Sequence, residues 1–123
     1  MKYVCLVHFA PEVLASLSPA EQEALTERSM AYNEELAAGG QLIIAQALDL
    51  PDSAVLVKVR SGEISTTDGP FTETKEQLAG FVMIEARDLN DAIRAAAGIP
   101  LARMGTIEVR PIFVPPPASG AAR

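Results

Sequence analysis

The chain has 123 residues, a formal net charge of -6 and 49% hydrophobic residues. That length fits one domain, and the composition can close a core without staples. Aromatics are scarce and Trp is absent, so the core is expected from Leu, Ile, Val, Ala and Met. The acidic balance argues against a nucleic-acid surface, which needs clustered Lys and Arg to displace counterions, and equally against an anionic membrane. A local basic pocket stays open to it, so a small anionic ligand remains a candidate partner. Cys5 is the one cysteine; it makes no internal disulfide, and without a Cys/His cluster there is no zinc signal. It reads as an inert core thiol in a reducing cytoplasm. No metal and no cofactor is expected, since no P-loop, Rossmann glycine pattern or nucleophile elbow occurs.

Lys2–Phe9 reads as the first strand. Its apolar run stops at His8 and Pro11-Glu12 follow without a cleavage pattern, so it is not read as a signal peptide. The pleat puts Val4, Leu6 and His8 on one face and Tyr3, Cys5, Val7 and Phe9 on the other. Residues 10–17 read as a connection containing Pro11. Ser18 then caps a helix, with Pro19 first in it and Glu21 three after the cap. Leu25, Ser29, Tyr32 and Leu36 form its buried stripe, and Gly39-Gly40 ends it. Residues 41–48 are a second strand. Val55, Val57 and Val59 alternate with Leu56, Lys58 and Arg60 as a half-buried strand, and the Ser61-Gly62 turn returns it through 63–67. Thr74 with Gln77 suggests one capped helical turn. Residues 80–86 are another strand, and Asp88 caps a second helix expected to bury Leu89, Ala92, Ile93, Ala96 and Ala97. Gly98 and Pro100 stop it. Residues 106–113 form the last strand, so the domain is expected to span 1–113, with a flexible Pro-rich tail over 114–123. No segment approaches the length of a membrane span.

The order β-α-β-(hairpin)-β-α-β points to an α+β, ferredoxin-like fold, with two helices on one face of an antiparallel sheet. The other face would be an exposed apolar patch on a monomer, so a homodimer through the open sheet face is expected. In that layout the first strand is central, which brings His8 near both residues 68–80 and the start of the last strand.

Asp68-Gly69-Pro70-Phe71, followed by Glu73-Thr74-Lys75-Glu76-Gln77-Leu78, resembles the signature of the DGPF branch of the YCII-related family. The resemblance runs from Met1 to about Ile112, and Arg110-Pro111 matches the family's typical ending. It implies a ferredoxin-like protein of the dimeric α/β-barrel type, and a His–Asp pair of the sort other YCII-related proteins are thought to use.

His8, the only histidine, reads either as a partly buried ring bonded to backbone or as a general acid/base, with Asp68 as the topological candidate to orient it. Asp68 serves equally well as a turn opener before Gly69 and Pro70, and Phe71 is expected to plug the core below. Lys75 is either solvated or holds an anionic group. Glu108 and Arg110 share a face of the last strand, as an ion pair or with Arg110 as a carboxylate fork in a pocket. Two functions remain open. One is a small-molecule proton-transfer enzyme of isomerase or lyase type, with His8 and Asp68 catalytic and Lys75, Arg110, Phe71 and Glu108 on the substrate. The other is a non-catalytic ligand-sensing or protein-docking module, which the resemblance links to transcription regulation.

Overall fold

The computed structural model describes residues 1–117. Four antiparallel strands, β1 (Lys2–Phe9), β2 (Leu42–Ala47), β5 (Gln77–Glu85) and β6 (Thr106–Pro111), lie in the order β2-β5-β1-β6. The hairpin of β3 (Val55–Arg60) and β4 (Glu63–Asp68) is a separate two-stranded sheet. The described residues also form three α-helices, α1 (Pro11–Ala15), α2 (Pro19–Ala38) and α3 (Leu89–Ala97), and two short 3-10 turns at Pro51–Ser53 and Pro100–Arg103. This is a ferredoxin-like α+β arrangement with β1 at its centre.

Period two in β1 decides which side is core. Tyr3, Cys5, Val7 and Phe9 are buried, whereas Val4, Leu6 and His8 on the opposite face are half-buried. From β5, Val82 and Ile84 join the buried side, and Leu36 and Ala92, Ala95 and Ala96 close it from α2 and α3. Burying side chains such as Leu25 and Leu36 contributes about 2 kcal/mol each relative to exposure. Tyr32 Oη donates to the Ala95 carbonyl at 2.6 Å and ties the two long helices together.

The start and stop of α2 follow its capping residues. Ser18 Oγ accepts from the Glu21 N–H while Glu21 accepts from the Ser18 N–H, a reciprocal capping box. At the other end the Gln41 N–H reaches the Leu36 carbonyl and the Gly40 N–H the Ala37 carbonyl. Gly40 takes the left-handed conformation this requires, at φ 77°.

Four expectations are corrected. Residues 11–15 are helical rather than a bare connection, because Pro11 stands at the first helical position, where its missing N–H costs nothing. No helical turn forms around Thr74. The Gln77 amide instead donates to the Thr72 and Thr74 carbonyls, and Gln77 opens β5. Helix α3 buries Ala92, Ala95 and Ala96 but leaves Leu89, Ile93 and Ala97 exposed, since small side chains let it sit close to the sheet and Tyr32. Lastly, Val55, Val57 and Val59 are not half-buried: with Ile64 they form an exposed apolar face on the hairpin, 56–74% accessible. The chain from 112 to 117 carries no regular structure; the rest of the expected Pro-rich tail lies outside the described residues.

Candidate functional site

Strand register builds a polar strip on the sheet face that the helices leave open. Leu6 lies opposite Glu108, His8 opposite Thr106 and Val4 opposite Arg110. Residues directly opposite in an antiparallel pair share a face, so Thr106, Glu108 and Arg110 join His8 there. On the other side of β1, His8 registers with Leu78 and Val7 with Gly80, so Ala79 is an extra residue in β5. This bulge bends β5 beside His8, and bulges of this kind commonly re-aim a neighbouring side chain.

Along that strip, His8 Nε2 is 3.1 Å from Glu108 Oε1, and the His8 side chain is 27% exposed. The other carboxylate oxygen of Glu108 lies 3.9 Å from Arg110 Nε. Thr106 Oγ1 donates to Glu76 Oε1 at 2.8 Å, which brings residue 76 to the end of the strip. A carboxylate only accepts hydrogen bonds, so it holds the proton on His8 Nε2 and leaves Nδ1 of the neutral ring with its lone pair. A base with an oriented ring and an adjacent cation is chemically suited to moving a proton on an anionic molecule.

Of the 68–80 segment, Glu76 and Leu78 reach this strip, whereas Asp68 belongs to the separate hairpin. Asp68 ends β4 opposite Val55, and among the described residues its side chain makes no hydrogen bond or ion pair. The carboxylate that the structure brings to His8 is therefore Glu108. Gly69, at φ 104°, donates its N–H to the Ala54 carbonyl at 2.8 Å and closes the hairpin base. Phe71 does not plug the core; it stands 81% exposed. Lys75 rims an open cleft of about 580 Å³ together with Glu12, Asp52 and Glu73, so one cation shares that wall with three carboxylates. Glu76 was not singled out from sequence as a site residue, because no periodicity in an irregular segment tells which side chain turns inward.

Cys5 is buried, and desolvation pushes its thiol up to about 11, which keeps it protonated near neutral pH. Among the described residues, no cluster of three His, Cys, Asp or Glu side chains is placed to hold a metal ion. None of their helices is long and apolar enough to cross a membrane.

Residues 1–115 match the model of the YCII-related domain. The chain belongs to the YCII-related family. A relative, the uncharacterized protein R00369 of Rhizobium meliloti (strain 1021), is 32% identical over 114 residues, covering 91% of this chain and 92% of that protein. Residues 1–115, which the family model matches, take in the six described strands and with them His8 and Glu108 of this YCII-related protein.

Proposed function

We propose that this YCII-related protein is a small-molecule acid/base enzyme of isomerase or lyase type, with His8 as the proton carrier. The observation that supports this most is the His8 Nε2–Glu108 Oε1 contact of 3.1 Å on the open face of the sheet. Glu108 orients the ring, Nδ1 takes a proton from a carbon next to an electron-withdrawing group, that ring proton exchanges with solvent, and Nδ1–H returns a proton to a neighbouring carbon in an isomerisation. Arg110 holds the anionic end of the substrate, as the cation beside that carboxylate. Lys75 then belongs to the neighbouring cleft and Phe71 to the exposed surface rather than to the reacting centre, and Asp68 ends β4 at the hairpin base. The run Asp68-Gly69-Pro70-Phe71 favours the DGPF branch.

The open face also carries exposed Ile44 and Leu78 with half-buried Val4, Leu6, Phe81 and Met83. Such a patch favours a homodimer through this face, which would also shield the His8 site from water. The second function, a protein-docking module linked to transcription, is favoured by the exposed apolar face of the β3–β4 hairpin.

Deuterium uptake separates the two. The protein is incubated in D2O with a panel of small unsaturated carboxylates and lactones, and exchange at carbon is followed by NMR. The enzyme reading expects exchange into at least one panel member, slowed roughly 10²–10⁴-fold in His8→Asn. Exchange that is equal in wild type and His8→Asn, or absent throughout, rejects the enzyme and leaves the docking module. Light scattering that gives a monomer rejects the dimer.

A further inference from the structure

On the opposite, helix-covered side of the sheet lies a hollow of about 520 Å³ between α2 and the strands β2 and β5. Pockets that enclose small organic ligands fall in the range of roughly 300–1,000 Å³. The hollow has a definite origin in the sequence. Its floor is made where Ala45 and Ala47 of β2 meet Ala79 and Gly80 of β5, so the two strands present almost no side-chain volume under the helix. At Gly80 even one methyl group would come within 2.7 Å of the Gln46 carbonyl oxygen. Above this floor, the inward stripe of α2 has Ser29 between Leu25 and Tyr32, where a large apolar residue would fill the space. Leu25, Val82 and Ile99, all buried, form the inner wall.

We propose that this hollow is a binding site for an uncharged, largely apolar small molecule that carries one hydrogen-bonding group. Its lining contains no Lys, Arg or His, and Asp49 is the one carboxylate among the lining residues. An anionic ligand would lose its hydration with no cation to replace it, at a large cost. Tyr32 lines the hollow too, but its hydroxyl is committed to the Ala95 carbonyl, and burial, followed by the nearby Glu35, raises its pKa so that it stays a neutral phenol. The handles for the ligand's polar group are Ser29 and Asn33. Both line the hollow and are half-buried, and among the described residues neither side chain makes a hydrogen bond. A hydroxyl and an amide can each donate and accept, which suits a ketone, hydroxyl or carboxamide. The site does not depend on the proton-transfer function, because it occupies the other face of the sheet from His8.

The test uses two fluorescent probes that differ by one charged group: N-phenyl-1-naphthylamine, which is neutral, and 1-anilinonaphthalene-8-sulfonate, which is anionic. In the wild-type chain the neutral probe binds with enhanced fluorescence and gives intermolecular NOEs to the Leu25 and Val82 methyl groups. The sulfonate binds at least about tenfold more weakly. Ser29→Leu, which pushes a larger side chain into the hollow, lowers affinity for the neutral probe by at least about tenfold, whereas Ser29→Ala keeps the volume and leaves binding of this probe, whose single amine N–H can still donate to Asn33, within about twofold. Equal affinity for the two probes, or NOEs to Val4 and Leu6 instead, overturns the proposal. So does the absence of binding to wild type, as when the hairpin of a second copy fills the hollow. The wild-type NOEs decide the matter even if Ser29→Leu does not fold.

Discussion

Gly105 offers a direct test of how the His8 site is held. It precedes β6, and its N–H donates to the Leu101 carbonyl at 2.8 Å. A Cβ added there would fall inside contact distance of the His8 carbonyl oxygen, 2.8 Å from Phe9 Cβ and 3.1 Å from the His8 carbonyl carbon. Those obstacles are mostly the backbone of a strand paired on both sides, not the tip of a flexible side chain, so β6 has to move. Overpacking of this kind costs about 1–3 kcal/mol, and the lower entropy of the unfolded Ala chain offsets about 0.4–1 kcal/mol. Mid-range values, about 2 less about 0.7, put the net loss for Gly105→Ala at about 1.3 kcal/mol, which in a domain of this size lowers Tm by about 4–8 °C. Because Thr106 registers with His8, the same displacement pulls Glu108 away from the ring. Calorimetry measures the first effect. The second is read from the His8 ring N–H signal, which should weaken as solvent exchange accelerates. A Gly105→Ala chain that melts at or above the wild-type temperature, with that signal intact, would refute the close approach of β6 to His8.

Other consequences can be checked in the same solutions. Ser18→Ala removes half of the capping box of α2 and should cost about 1 kcal/mol in urea unfolding; no change in midpoint would mean that the cap is idle. The carboxyl of Asp91 is held below its ordinary range, first by the Arg87 backbone N–H and then by the Arg87 side chain. Glu21 is held low by the Ser18 backbone N–H, and Glu85 by the N-terminal ammonium. Lowered folded values mean that stability is fully present above the unfolded carboxylate values and is lost as pH falls through the folded ones. Unfolding free energy followed from pH 7 down to about 3 should thus decline, and less steeply in Asp91→Asn; equal slopes would remove Asp91 from the account. Cys5, protonated and buried, should react with a disulfide reagent at pH 8 only as fast as the chain unfolds. Rapid labelling of the native protein would contradict its burial.

Ser18, Pro19 and Glu21 carry a local, reciprocal code, and so do Gly39 and Gly40; such ends of helices are legible without tertiary information. Alternation along β1 likewise separates Cys5 and Val7 from His8 and Leu6. Legibility stops where a neighbour decides. Leu89 and Ile93 are the bulkier apolar residues of α3, yet Ala95 is buried instead, because Tyr32 and the sheet leave room only for a methyl group. Val55, Val57 and Val59 alternate as an inward face would, but the hairpin stands apart from the four-stranded sheet, and period alone does not say which layer a strand joins. The partner of His8 was within reach. Once β1 and β6 are paired antiparallel, Glu108 falls one diagonal step from His8, whereas the register of Asp68 ties it only to Val55 of the separate hairpin and not to β1. Phe71 shows the limit in the other direction, since a large aromatic residue beside a turn carries no signal of whether the turn faces core or solvent.

The hydrogen bond from Gly69 to the Ala54 carbonyl has a further consequence. It brings the entry and exit of the hairpin to one point, so residues 55–68 hang from the rest of the molecule as a closed insert. Neither β3 nor β4 pairs with any strand of the main sheet. Its length and surface can therefore change without altering the register of β1, β2, β5 and β6. For protein engineering, this makes the segment a cassette: a different hairpin or a binding loop can be grafted between Ala54 and Gly69 while the His8–Glu108 contact keeps its support. The same independence leaves natural sequence drift free to diversify the hairpin surface while the sheet beneath stays as it is.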